Sequence, residues 1–121
     1  MLVAIPSLSP GGLDAPRSEH FGRCPCFTLV RLGEGGETDV TVLQNRPHGA
    51  GGCLEPIEFL ASHGVEAVVV SGIGMRPLLG FDAKGIKVYR GAGATVRESL
   101  EALKEGRLER FTADMSCGGR H

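Results

Sequence analysis

The stretch Ala67-Val68-Val69-Val70-Ser71-Gly72-Ile73-Gly74 decides the fold. An unbroken apolar run of β-branched character does not alternate between a wet and a dry face, so both faces of the strand have to be covered. A central strand of a parallel sheet, with helices on both sides, is covered in that way. The glycine turn that follows leads into a helix from Met75 to Ala83, where Pro77 falls in the first turn and is tolerated. The pattern then repeats. Ile86 to Tyr89 reads as a strand and Gly91-Ala92-Gly93 as a turn. Thr95 with Glu98 three residues on forms a capping box, opening a helix that buries Val96, Leu100 and Leu103 and stops at Gly106.

Upstream, Leu54 to His63 carries apolar residues at helical spacing and ends at Gly64. Leu2 to Pro6 is a short apolar strand, closed by the turn cluster Ser7 to Gly12. Phe27 to Leu32 and Val40 to Leu43 are strands joined by the hairpin loop Gly33-Glu34-Gly35-Gly36. A hairpin followed by strand–helix–strand units predicts a three-layer α/β domain with a five-stranded mixed sheet whose second strand is antiparallel. The domain is expected to span residues 1–110. Residues 111–121, without clear periodicity, are expected to form a flexible tail.

Composition narrows the function. A chain of 121 residues has room for one core, and a net charge of −1 gives no basic footprint for nucleic acid. With no Trp and a single Tyr, base stacking is equally unsupported. The N-terminal stretch lacks the basic leader and cleavage site of a signal peptide, and no apolar run approaches the roughly 20 residues of a membrane span. A cytoplasmic protein with reduced cysteines is expected, with no membrane partner.

The topology sends the loops after the first, third, fourth and fifth strands to one edge, where open α/β sheets bind ligands. Cys24, Cys26 and Cys53 converge there with His20 and His48. Thiolate and neutral imidazole are ligands for soft and borderline metals, so Cys24, Cys26, Cys53 and His48 are candidate metal ligands. If the Cys24-Pro25-Cys26 stretch is extended, alternation puts both sulfurs on one face. Arg23 and Arg76 complement an anion at the same rim, and amides at Gly72-Ile73-Gly74 and Gly91-Ala92-Gly93 precede helices and suit anions. Neither turn is a nucleotide fingerprint, because the required glycine spacings and the Lys-Ser/Thr pair are missing. The apolar strands carry no carboxylates for a two-metal hydrolase, so no enzyme activity is expected. Two other readings fit the same residues: a regulatory module that binds a protein partner without metal, and a zinc or copper(I) thiolate protein using Cys24, Cys26 and Cys53.

Several segments carry a family likeness, in order along nearly the whole chain: Val3-Ala4-Ile5-Pro6, Leu13-Asp14-Ala15-Pro16, Ser18-Glu19-His20-Phe21-Gly22-Arg23, the Gly49 to Gly52 run, Val70 to Gly74, Gly85 to Ala92, and Thr95-Val96. The sequence resembles the dinitrogenase iron–molybdenum cofactor biosynthesis family of nitrogenase-cofactor carriers. That resemblance implies a ribonuclease-H-like fold and non-catalytic binding, storage or delivery of an anionic metal–sulfide cluster of molybdenum–copper or iron–molybdenum type. It also implies a protein donor or acceptor of the cluster. Carried over by position, the cluster is surrounded by His20, Phe21, Gly22 and Arg23, by Gly51 and Gly52, and by Gly72, Ile73 and Gly74, with Arg76 at the rim. The chain departs from the family pattern at Cys24 and Cys26, where a small residue and an aromatic are usual.

Overall fold

The computed structural model describes residues 1–19, 21, 24–33, 36–45 and 54–111. Strands β1 (Leu2–Ser7), β2 (Cys26–Gly33) and β3 (Gly36–Gln44) come first. Then follow α1 (Leu54–Ser62), β4 (Ala67–Val70), α2 (Met75–Ala83), β5 (Lys87–Arg90), α3 (Val96–Lys104) and β6 (Arg110–Phe111). They form one sheet in the order β3-β2-β1-β4-β5-β6.

β1 pairs antiparallel with β2, from Leu2 opposite Arg31 to Ser7 opposite Cys26. It pairs parallel with β4 through Val3 and Ala67, and β4 runs parallel to β5. β2 and β3 are antiparallel, so β3 points the same way as β1. The expected antiparallel second strand is therefore present.

The sheet has six strands, not the expected five. Arg110–Phe111 pairs antiparallel with β5, Val88 opposite Phe111 and Tyr89 opposite Arg110. A two-residue strand is too short to display alternation, so no sequence pattern marks it. It forms because β5 would otherwise present an open edge: Arg90 N donates to Glu109 O at 2.8 Å, and the Arg90 guanidinium lies 5.9 Å from the Phe111 ring centroid. The strand thus takes in Phe111, the first residue of the expected tail.

Alternation along the strands splits the core in two. Ala4, Val68 and Val88 face Ile57 and Leu60 of α1 and Leu78 and Phe81 of α2. Val3, Ile5, Val30 and Val69 face Val96 and Leu100 of α3. All six residues of β1 and all four of β4 are buried, as a covered centre requires. Phe81 is fully buried and anchors α2, and its truncation to alanine would cost about 3–5 kcal/mol.

Candidate functional site

Because β1, β4 and β5 run parallel, their carboxyl ends share one edge, and the loops that follow them are stitched together there. Ser18 N donates to Pro6 O at 2.9 Å, Arg17 N to Ala94 O at 2.8 Å, and Gly91 N to Val70 O at 2.8 Å. Val96 N and Arg97 N reach across to Ala15 O and Leu13 O. The chain leaving β3 starts from the same edge: Asn45 N donates to Pro25 O at 3.0 Å, and its side-chain amide to Cys24 O at 2.7 Å.

Two glycine turns sit on this rim, and their amides are in different states. In the β5–α3 turn the capping box is complete. Thr95 Oγ1 accepts from Glu98 N, while Glu98 Oε1 accepts from Ala94 N at 2.6 Å and from Thr95 N at 3.2 Å. Those backbone bonds hold the Glu98 carboxyl below its ordinary pKa of 4.5. Gly93 sits at φ +77° beneath that carboxylate, and a Cβ on it would lie 2.5 Å from Glu98 Oε1. Ser99 Oγ fixes Ala92 by donating to its carbonyl and accepting from its amide.

The β4–α2 turn is built otherwise. Gly74 occupies the N-cap in extended backbone (φ −79°, ψ 169°), with no side-chain cap bond and no acidic residue in the first turn of α2. No acidic side chain in the helix's own first turn answers its positive end. Gly72 and Gly74 are exposed and Ile73 is half-buried. A Cβ at Gly72 would meet nothing within 4 Å, so that side of the turn is open. Arg76 is exposed one residue into α2.

Phe21 turns inward. It is 8% exposed, with its ring 5.1 Å from Phe81 edge-on and 5.9 Å from Phe27, so it wedges the β1–β2 loop against α2. Cys24 and Cys26 meet different packing neighbours, although the Cys24 thiol stays within electrostatic reach of Cys26 and of the Ser7 backbone. Cys24 belongs to the core cluster under α1 and α2. Cys26 lies on the other side, with Ser7, Thr28 and Gly11, because it alternates in step with Thr28 and Val30. Pro25 lies between them, so the extended alternation that would align the sulfurs does not begin until Cys26. Both cysteines are free and buried. Burial pushes the Cys24 thiol from 9.0 up to about 12 and raises Cys26 as well. Each acts as a weak donor, Cys24 to Phe21 O at 3.3 Å and Cys26 to Ser7 O at 3.6 Å. The thiolate that binds metal is disfavoured at both in this state. Among the described residues no three His, Cys, Asp or Glu side chains gather to hold a metal ion.

Thus Phe21, Cys24, Gly72, Ile73, Gly74 and Arg76 surround the carboxyl edge, and Cys26 lies behind it. His20, Gly22, Arg23, His48, Gly51, Gly52 and Cys53 lie outside the described residues, as does Cys117. Sequence reasoning missed Arg17, the single residue between the family-like segments Leu13–Pro16 and Ser18–Arg23. It also weighed the two glycine turns alike, although Thr95 and Glu98 already announced that one of them was self-capped.

The profile of the dinitrogenase iron-molybdenum cofactor family matches residues 1–106. The chain is 32% identical over 116 residues to the uncharacterized protein MJ0580 of Methanocaldococcus jannaschii, covering 92% of each. Among solved structures it is similar to a NifB-like protein from Thermotoga placed in the DUF35 family. The two share 36% identity and a TM-score of 0.74, over 92% of this chain and 96% of that one. The apo form of the orange protein from Desulfovibrio gigas superposes with a TM-score of 0.79 over 92% of each chain. At 24% identity that likeness speaks for the fold alone.

Proposed function

The chain belongs to the dinitrogenase iron-molybdenum cofactor family, and from that premise we propose that it binds and carries an anionic metal–sulfide cluster without catalysing a reaction. The observation that carries the proposal is the β4–α2 turn: a glycine N-cap with no side-chain cap bond and no acid in the helix's first turn, open on one side, at the edge where three loops converge. A sulfide-rich anion is matched there by aligned N–H groups and by Arg76, with Ile73 offering apolar contact. The cluster is of the molybdenum–copper or iron–molybdenum type. It is held mainly by amides, charge and packing, because burial favours the protonated form of both Cys24 and Cys26.

In this reading His20 and the loop from Ser18 to Arg23 weigh more than Cys117. β6 runs antiparallel to β5, so the chain leaves Phe111 heading away from the carboxyl edge. The order β3-β2-β1-β4-β5 supports the ribonuclease-H-like assignment, and the absence of carboxylates from β1 and β4 supports a carrier over a nuclease.

The test is anaerobic reconstitution with tetrathiomolybdate and a copper or iron salt, followed by metal analysis and visible absorption. Stoichiometric molybdenum with a charge-transfer band is expected. No retained metal would refute cluster carriage, and uptake of zinc or copper(I) without sulfide would point to thiolate ligation instead.

A further inference from the structure

Arg17, itself in the β1–β2 loop, joins the other two loops through polar atoms of its side chain, at Ser71 and at Gly93. Its backbone is fixed first: Ser7 and Arg17 form an antiparallel bridge, Pro16 and Thr95 form another, and Arg17 N donates to Ala94 O. From that anchorage the guanidinium reaches over the β5–α3 turn. Nε and Nη2 both donate to Gly93 O, at 3.2 and 2.7 Å. Nη1 donates to Ser71 Oγ at 2.9 Å, at the start of the β4–α2 turn. The side chain passes so close over Gly91 that a Cβ there would lie 2.5 Å from Nη1 and 2.7 Å from Cζ. Partial burial lowers its pKa, with Glu19 and Glu98 acting in the opposite direction, and a guanidinium stays charged regardless.

We propose that Arg17 is a positioning residue of the binding site: its planar fork locks the Ser71–Gly74 turn to the self-capped Gly91–Thr95 turn, so that the exposed Gly72–Gly74 backbone is held in one place for the ligand. This rests on the carrier reading above. The rigid partner is the β5–α3 turn, whose amides and carbonyl of Ala92 are already tied by Glu98 and Ser99. The β4–α2 turn has no side-chain cap bond from Gly74 and no acid in its helix's first turn, and it is tied from outside through Ser71. A lysine keeps the charge but cannot make the two-directional fork. Gly91 is a glycine because Arg17 occupies the volume of its Cβ, which offers a way to displace the guanidinium without removing it.

The experiment titrates tetrathiomolybdate with copper(I) into the wild-type chain, Arg17→Lys, Arg17→Gln and Gly91→Ala, reading affinity and the visible circular dichroism of the bound form. Nitrogen-15 amide shifts of Ser71 to Gly74 are recorded in the ligand-free proteins. Wild-type binding is expected to weaken about tenfold in Arg17→Lys and Arg17→Gln, the loss that removing charge-assisted hydrogen bonds gives. The amide shifts and visible dichroism should change in all three variants. A residue that only supports the fold would lower the bound fraction in step with the folded fraction and leave the dichroism of the bound form unaltered, and that result overturns the proposal. Unchanged affinity, dichroism and Ser71–Gly74 shifts would do the same. If the wild-type chain takes up nothing, the carrier reading itself fails and the positioning role falls with it.

Discussion

At the end of β5, the amides of Ala94 and Thr95 are held by the carboxylate of Glu98, three and four residues further along the chain. At the end of β4, the turn through Gly72, Ile73 and Gly74 opens α2 with no cap bond from its N-cap residue and no acid in its first turn. Both turns read as glycine, apolar or small residue, glycine, and both lead into helices of the same length. The first carries its own anion and the second has no acid of its own. A helix N-terminus needs an acceptor, and where the chain provides none the position is available to solvent or ligand.

The largest expected effect comes from making the second turn like the first. Gly74→Asp places a capping carboxylate at α2, where a Cβ meets only Pro77 Cδ, at 3.7 Å. Cluster affinity should fall at least about tenfold while the melting temperature holds or rises, because aspartate caps at least as well as glycine. Undiminished uptake would remove this turn from the site.

A second expectation concerns the wall beside the turn, where Cys24 is read as core. Its thiol is raised from 9.0 to about 12 in the folded state, so folding favours the protonated form. The stabilisation is complete below the ordinary thiol range and drains away as pH rises toward the folded value. Chemical denaturation from pH 8 to 11 should show that alkaline loss in the wild-type chain and a flatter profile in Cys24→Ala. Identical slopes would mean that Cys24 titrates as an accessible thiol, reopening it as a ligand.

Breaking the first turn should cost stability and spare binding. Thr95→Ala is expected to lose about 1 kcal/mol in urea unfolding, with affinity per folded molecule unchanged. The Glu98 half of the box is acid-sensitive in a defined direction. Its carboxyl is held below 4.5 by Ala94 and Thr95, so its contribution is present above that value and lost as pH falls through the lower folded one. Protection of those two amides from hydrogen exchange should fade on acidification. Persistence at low pH would show the cap to be idle.

The smallest effect is expected at Gly72. With open space where a Cβ would go, Gly72→Ala should change stability by less than about 0.5 kcal/mol. A drop in cluster uptake at unchanged stability would show that the ligand approaches the backbone closely there. Full uptake would assign the glycine to turn geometry alone.

Much of the fold was legible because its signals are local. The unbroken apolar run at Ala67–Val70 implied a doubly covered strand, and it is buried throughout. The Thr95–Glu98 box marked the start of α3, and its hydrogen bonds are both present. β6 was not legible, since two residues carry no period and the strand exists only by pairing with β5. Cys24 and Cys26 looked like a pair because they are neighbours in sequence. Which face each thiol meets depends on where β2 begins, and that is fixed by pairing with β1 at Ser7.

By itself, the sequence determined the order of strands and helices, the shared edge to which their loops run, and the self-capping of α3. These follow from periodicity, glycine placement and contacts a few residues apart. Only the tertiary structure decided that Arg17 spans to Ser71 and Gly93, that Phe21 turns inward onto Phe81, and that Cys26 bonds Ser7 while Cys24 joins the core cluster under α1 and α2. Those contacts join residues from 19 to 76 positions apart, through a sheet register that the chain acquires only once its hydrophobic faces are buried together.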